Sequence, residues 1–280
     1  MSTIEQILGK FNDVVVRVPS LYSLSPSWYP RVVPDLERKV EEHIESWRQR
    51  WLPEPTAYKQ NLAADCSYIT RAITPDANVP NLQIGGRFAS WKALLGKTDT
   101  EQPSDWKDTP TTMAESFYDI GFSLQEGTEL GAVRLEDAFQ DGIILDLDVY
   151  IKDRAETSGV YPTIGQALIL QNIALPAWFI NHPVPKKMLR HTSIMVALWG
   201  CKHVDNVIPL LVHHQGLDPQ EAVYHTCQII HDSYTAFESL VPDVLALASE
   251  NGLAEGSMFV TGCKDVCMGL ASWTYGLSLK

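Results

Sequence analysis

The sequence predicts an all-α protein that forms a single domain, and three observations carry this prediction. Apolar residues recur every three or four positions along most of the 280-residue chain, which is the period of an α-helix. No stretch alternates apolar and polar residues as a half-buried strand does, and no repeat or low-complexity segment occurs. A chain of this length can bury a substantial core without a second domain. We therefore expect residues 1–280 to form one bundle of about ten helices.

The first helix is predicted from the spacing of five large apolar residues. They follow one another at intervals of four, four, three and four positions: Leu36, Val40, Ile44, Trp47 and Trp51. This spacing places all five side chains along one face of a helix. The helix is therefore expected to be amphipathic and to lie at the surface of the protein.

The other helices follow from the same period and from the residues that end a helix. A second helix is predicted from Ala57 to Ala72, because Thr74-Pro75 follows it and ends the pattern. The pattern fails between Gly86 and Pro110, where a short helix and then a long loop are expected. The remaining predicted helices cover 113–120, 133–147, 163–180, 186–199, 219–238, 241–249 and 257–280.

Composition excludes several classes of partner. The formal net charge is -12 and no run of Lys and Arg occurs, which argues against nucleic acid and anionic membrane. The longest uncharged apolar run, 164–180, is too short to span a bilayer and contains Pro176. The five cysteines form no CxxC pair, and the first residues lack an export signal, so a cytoplasmic location with reduced thiols is expected.

The most informative stretch is residues 150–162, which read YIKDRAETSGVYP. They contain the pattern Tyr-x-x-x-Arg-x-x-Thr-x-Gly, which resembles one that fungal and bacterial class I terpene synthases carry in mid-chain. In that family the arginine senses the substrate diphosphate, and the residues after it let the helix break open. The resemblance implies catalytic roles for Arg154, Thr157 and Ser158. It places Ser158 at the helix break with its carbonyl facing the substrate.

Three further segments resemble the same family in the expected order. Residues 176–183 (PAWFINHP) resemble the connector before the helix that normally carries the second metal motif. Residues 205–211 (DNVIPLL) and 216–223 (GLDPQEAV) resemble the stretch that follows that motif, and Trp273 resembles the tryptophan of the last helix. Together they resemble fungal sesquiterpene cyclases. The resemblance implies a lyase or isomerase of secondary metabolism with the class I helical fold.

The sequence departs from the family where the metal-binding motifs belong. An Asp-Asp-x-x-Asp motif should follow residues 88–91 (FASW), yet residues 92–99 read KALLGKTD, and Asp99 alone matches. The Asn-Asp-x-x-Ser-x-x-x-Glu motif should follow Trp199, yet GCKHV leads directly to residues 205–206. The chain also ends at Lys280, before the Arg-Tyr pair that the family uses to contact diphosphate.

These departures argue against the usual magnesium site, because Mg²⁺ is held by several converging carboxylates together with phosphate oxygens and water. One aspartate near Lys97 does not supply such a cluster. We therefore expect no metal site and no cofactor. Asp105 and Asp108 in the predicted loop, together with Asp99, leave open a magnesium site built from other carboxylates.

The substrate is expected to meet an apolar cavity whose aromatic faces can stabilise a developing carbocation. The residues expected to bind it are Phe88, Trp91, Phe179, Trp199 and Trp273. The alternative is that these aromatic residues are ordinary core, as aromatic residues at helical spacing usually are. Arg154 has an alternative too, a surface ion pair with Asp153 or Glu156.

Three functions remain open from the sequence. The first is a terpene synthase-like enzyme that cyclises, isomerises or rearranges a terpenoid or similar apolar intermediate without magnesium-triggered ionisation. The second is a Mg²⁺-dependent sesquiterpene cyclase acting on farnesyl diphosphate, and the third is a non-catalytic relative that binds a hydrophobic molecule. In each case the expected partner is an apolar terpenoid, and the sequence leaves a homodimer open.

Overall fold

The computed structural model describes residues 6–7, 9–52, 54–92, 144–157, 159–199 and 207–278. Every regular element in these ranges is helical, which confirms the predicted all-α class. The α-helices are α1 (Leu21–Leu24), α2 (Glu37–Trp51), α3 (Pro55–Ala63), α4 (Cys66–Ile73), α5 (Val79–Lys92), α6 (Leu147–Thr157), α7 (Val160–Leu170), α8 (Ala177–Asn181), α9 (Pro183–Trp199), α10 (Val207–His214), α11 (Pro219–Glu250) and α12 (Gly256–Ser278). The helix predicted at 113–120 lies outside the described residues, as do residues 93–110 of the predicted loop. Of the helix predicted at 133–147, residues 133–143 lie outside them too, and residues 144–146 are not helical.

The chain divides into two compact units. The first unit takes its described residues from Met1–Trp28, Ser123–Pro162 and Ala177–Gly252. The second unit takes them from Tyr29–Phe122, Thr163–Pro176 and Leu253–Lys280. The expectation of a single domain over residues 1–280 stays a prediction. Among the described helices, none is both long and apolar enough to cross a membrane.

Helix α2 is amphipathic as predicted. Val40 and Ile44 on its apolar face have no exposed surface, whereas Arg38 and Lys39 on the other face are exposed. The buried face packs in the second unit against Leu82 of α5 and other apolar residues of the same cluster. The predicted start is also close, since α2 begins one residue after Leu36.

The second predicted helix is two helices in the structure, and Asp65 explains the interruption. Asp65 has a φ of 49°, in the left-handed region where a helix cannot continue. Its carboxylate accepts a hydrogen bond from the backbone N–H of Tyr68 at 3.3 Å, so it caps the first turn of α4. Helix α3 is capped in the same way by Glu54, which accepts from the backbone N–H groups of Thr56 and Ala57.

Two other predicted helix boundaries differ from the structure. The segment predicted as one helix over 163–180 ends at Leu170, turns at Asn172 with a φ of 58°, and resumes as α8 after Pro176. Helix α11, by contrast, runs through Pro242 without ending. Phe237 and Val244 on either side of it are fully buried, and this packing offsets the backbone hydrogen bond that the proline removes.

Close packing of α12 against α4 yields a first prediction, on Gly269. A Cβ atom at this position would lie 2.7 Å from both the carbonyl carbon and the carbonyl oxygen of Ala72, and a backbone cannot move aside easily. Gly269→Ala should therefore lower the free energy of unfolding by about 1–3 kcal/mol in urea denaturation.

The matched control is Gly165→Ala in α7, where an added Cβ would meet nothing within 4 Å. Alanine favours a helix over glycine, so this variant should be neutral or up to about 1 kcal/mol more stable. Equal losses in the two variants would show that the close approach at Gly269 is not what matters.

Candidate functional site

The candidate site is centred on a break between two helices of the arginine motif. Helix α6 ends at Thr157 and α7 begins at Val160. Between them Gly159 has a φ of 70°, a conformation that glycine adopts at little cost. Asp146 starts α6 by accepting hydrogen bonds from the backbone N–H groups of Asp148 and Val149. The helix break therefore falls where the sequence pattern predicts it.

Arg154 lies in the last turn of α6, within the first unit, and its side chain is partly buried. In the described part of the chain it makes no hydrogen bond and no ion pair, so the surface ion pair with Asp153 or Glu156 is not formed. A cation at the C-terminal end of a helix is favoured by the helix dipole. Arg154 is thus placed beside the break with its guanidinium donors uncommitted.

The other two predicted catalytic residues are Thr157 and Ser158. Thr157 is the last residue of α6, and the structure describes its backbone only. Ser158 is not among the described residues. Their roles stay predictions.

Ser193 of α9 holds the end of α6 in place. It is buried, and its hydroxyl donates a hydrogen bond to the backbone carbonyl of Ala155, the residue after Arg154. Helix α9 packs on α6 at this point. Sequence analysis missed Ser193, because a serine on an apolar helix gives no sign of a partner 38 positions away.

Ser193→Ala should lower the free energy of unfolding by about 1–2 kcal/mol, because the buried carbonyl of Ala155 loses a donor. It should also speed amide hydrogen exchange at Thr157 and Gly159. Thr226→Val on α11 is the control, since Thr226 is equally buried but its hydroxyl bonds only its own helix, at Ala222. If both variants leave exchange near Gly159 unchanged, Ser193 does not fix the break.

Phe179 and Trp199 are the predicted aromatic residues of the first unit. Phe179 of α8 is fully buried and meets Trp178 edge to face at 5.7 Å between ring centroids. Trp199 ends α9 and is 4% exposed, and its buried indole Nε1 has no hydrogen-bond partner among the described residues. A buried indole donor usually finds a partner, so this one is free to bind a polar group of a ligand.

His191 is a second residue that sequence analysis did not single out. It lies two turns before Trp199 on α9, and its buried Nδ1 also lacks a hydrogen-bond partner in the described ranges. Burial, and to a lesser degree the charge of Arg190, lowers the pKa of His191 below its usual 6.5. At neutral pH its imidazole is therefore uncharged and can accept a proton.

The remaining aromatic candidates belong to the second unit. Phe88 of α5 packs in a core cluster with Ile44, Leu82 and other apolar residues. Trp91 lies in the last turn of α5, and its side chain is outside the description. Trp273 of α12 is partly buried, and its indole Nε1 donates to the carbonyl of Ala64 at 2.6 Å. A role for these three residues in substrate binding stays a prediction.

Among the described residues, no group of three or more His, Cys, Asp or Glu side chains is placed to hold a metal ion. Asp99, Asp105 and Asp108 lie outside the described residues, as do residues 93–99 and 200–206, where the family motifs would fall.

Comparison with known proteins finds terpene synthases among the proteins to which this chain is similar. A family model described as terpene synthase family 2, C-terminal metal binding, matches residues 132–236. Sesquiterpene synthase Agr1 of Cyclocybe aegerita is 23% identical, covering 75% of this chain and 72% of its own length. Germacrene A synthase of Nostoc punctiforme is 22% identical, covering 92% of this chain and 93% of its own length.

Solved structures give the same fold. The crystal structure of a-eudesmol synthase superimposes with a TM-score of 0.71, covering 94% of this chain and 99% of that chain, at 16% sequence identity. At that identity the likeness concerns the fold. The resemblance inferred from the arginine motif and the three downstream segments is confirmed.

Proposed function

We propose that this chain, a class I terpene synthase-like protein, is a terpene cyclase-like enzyme that cyclises, isomerises or rearranges a terpenoid or similar apolar intermediate. We further propose that it works without magnesium-triggered loss of diphosphate, as a fungal-type enzyme of secondary metabolism. The observation that carries the proposal is the break after α6, with Arg154 uncommitted in the turn before it.

The sequence at the metal-motif positions supports the metal-independent part. Residues 92–99 and 200–206 contain only Asp99 and Asp205 as carboxylates, one in each segment. A trinuclear magnesium cluster needs several carboxylates at one cavity mouth. We therefore assign no reaction step to a metal.

Without metal, the reaction needs a proton donor or a substrate held in a near-attack geometry. Orientation alone can supply roughly 7–11 kcal/mol in favourable cases. Arg154 would provide the polar anchor, because its planar guanidinium can hold a carbonyl, carboxylate or hydroxyl oxygen of an oxygenated terpenoid. It can also stabilise negative charge that develops on that oxygen. Thr157 and Ser158 would add hydroxyl or backbone contacts beside it.

The aromatic residues would shape the apolar part of the site. Phe179 and Trp199 offer ring faces that can stabilise positive charge on carbon, and the unpaired Nε1 of Trp199 adds one donor. We keep Phe88, Trp91 and Trp273 as further proposed substrate contacts.

The alternative is a Mg²⁺-dependent sesquiterpene cyclase acting on farnesyl diphosphate. The matched family model, which is described by its metal binding, favours this alternative. Its ligands would have to come from Asp99, the one carboxylate that matches the first motif, and from others such as Asp105 and Asp108.

The proposal is tested by incubating the protein in EDTA with a panel of oxygenated terpenoids and analysing the products. Intrinsic tryptophan fluorescence measures binding of the same compounds. We expect the wild-type protein to convert at least one panel member in EDTA. We expect Arg154→Ala to lose this conversion. Tight binding of a panel member without any conversion would instead support the non-catalytic alternative.

A further inference from the structure

We infer that a seam between α2 and α5 in the second unit binds a phosphate group, held by His43 and Arg87. The two side chains belong to neighbouring helices, and each has a buried nitrogen without a hydrogen-bond partner among the described residues. The inference is independent of the proposed function, since neither residue belongs to the arginine motif.

The packing of the two helices places His43 and Arg87 side by side. Gln83 of α5 donates a hydrogen bond to the carbonyl of Lys39 of α2 at 3.5 Å. One turn further along both helices stand Arg87 and His43. Gly86 lets the helices approach at that level, because a Cβ there would lie 2.4 Å from Cδ1 of Ile44. The charge of Arg87 is close enough to act on the titration of His43.

Within the part of the chain that the structure describes, both residues lack a partner for one buried nitrogen. The Nε2 atom of His43 and the Nε atom of Arg87 are buried, and no described group accepts or donates a hydrogen bond there. Arg87 also forms no ion pair in the described part of the chain. An unpaired polar atom out of water costs free energy, and an unpaired charge costs more.

The other partly or fully buried arginines of this unit do have carboxylate partners. Arg31 pairs with Asp76 and Asp265, Arg48 with Glu41 and Glu45, and Arg71 with Glu37. Arg87 is the exception among them. In a chain with a net charge of -12, a partly buried guanidinium without a carboxylate among the described residues indicates that the counter-charge comes from a ligand.

A phosphate group fits this pair. Its separate oxygens can accept one hydrogen bond from Nε of Arg87 and another from Nε2 of His43, and bonds to a charged acceptor are the strong ones. Both side chains are partly exposed, so the seam lies at the protein surface, and a change of side-chain rotamer would uncover the two nitrogens for a small anion. Burial lowers the pKa of Arg87, and burial together with Arg87 lowers the pKa of His43, so a bound anion would relieve both penalties.

The test measures two quantities: the affinity of the protein for phosphate, and its thermal stability in the absence of anion. Inorganic phosphate is titrated into the protein by calorimetry at constant ionic strength, with inorganic diphosphate and acetate as comparison arms. Wild-type protein should bind phosphate or diphosphate more tightly than acetate. Arg87→Met should weaken binding about tenfold or more, and His43→Gln should weaken it by a smaller factor. Arg38→Met, an exposed arginine of α2 paired with Glu42, should leave it unchanged.

Without anion, Arg87→Met should raise the Tm, because it removes an unpaired cation from a partly buried position. Three outcomes would overturn the inference. Wild-type protein could bind phosphate no better than acetate. Arg87→Met could lower the Tm, which would show that the arginine has a partner in the chain. Phosphate binding could vanish in Arg154→Ala yet survive in Arg87→Met and His43→Gln, which would place the anion at the helix break.

Discussion

Arg154→Ala is expected to lower kcat/KM on the true substrate by about 10- to 1000-fold, as expected for losing one electrostatic contact worth roughly 1.4–4 kcal/mol in the transition state. The Tm should stay nearly unchanged, because Arg154 makes no hydrogen bond or ion pair among the described residues. Arg154→Lys should also lose activity, since an ammonium group does not reproduce the planar fork of a guanidinium.

The control is Lys152→Ala, which removes an exposed cation from the same helix two positions earlier. It should keep full activity and the wild-type Tm. If Arg154→Ala is as active as wild type, or if it unfolds, the arginine is structural and the polar anchor must be sought elsewhere, with His191 and Trp199 as the next residues to change.

Arg31→Met is expected to lower the free energy of unfolding by about 2–3 kcal/mol at neutral pH, because it leaves the carboxylate of Asp265 buried and uncompensated. Arg31 donates two hydrogen bonds to Asp265, whose side chain is 4% exposed, and two more to Asp76, at 3.3 and 2.9 Å. The guanidinium itself is 42% exposed, so solvent screens part of the interaction. The expected loss is therefore smaller than the roughly 3–5 kcal/mol that breaking a fully buried ion pair costs.

The loss should depend on pH. Burial already raises the pKa of Asp265 above its ordinary 3.8, against the opposing effect of Arg31. Without Arg31 that pKa rises further, and a raised pKa makes the folded state bind the proton more tightly than the unfolded state. The deficit should therefore be largest at neutral pH and shrink as pH falls through the raised pKa towards 3.8.

Urea denaturation from neutral to acidic pH measures this deficit. The double variant Arg31→Met with Asp265→Leu should recover most of the stability, because no buried charge remains, and Arg38→Met should show no pH-dependent loss. A deficit in Arg31→Met that grows as pH falls would contradict the assignment of the effect to Asp265.

The fold class and the helix break could be predicted from sequence because both follow from local patterns. The period of three to four residues gave α2 to within a residue of its start. The resemblance of the arginine motif to the family pattern predicted a helix break at Ser158, and α6 and α7 are separated there, with Gly159 in the left-handed region. Helix ends were harder to predict from sequence where a single side chain or its packing determines them. Asp65 interrupts a continuous helical pattern by capping α4, and Pro242 fails to end α11 because packing outweighs it.

Much of the chemistry depends instead on residues that are far apart in sequence. Arg31 and Asp265 are separated by 234 positions, and Ser193 and Ala155 by 38. No composition or spacing signal links such pairs, because the contact arises only when helices pack. The same holds for His43 and Arg87, which read in sequence as ordinary surface residues of two helices.

Incubation with farnesyl diphosphate, in the presence of Mg²⁺ and in EDTA, tests most directly whether this terpene synthase-like chain works without metal-triggered ionisation. Released diphosphate and volatile products are measured together in both conditions. We expect no Mg²⁺-dependent release of diphosphate and no sesquiterpene product that EDTA abolishes. Efficient Mg²⁺-dependent formation of a sesquiterpene, lost in EDTA, would contradict the proposal and establish the metal-dependent cyclase instead.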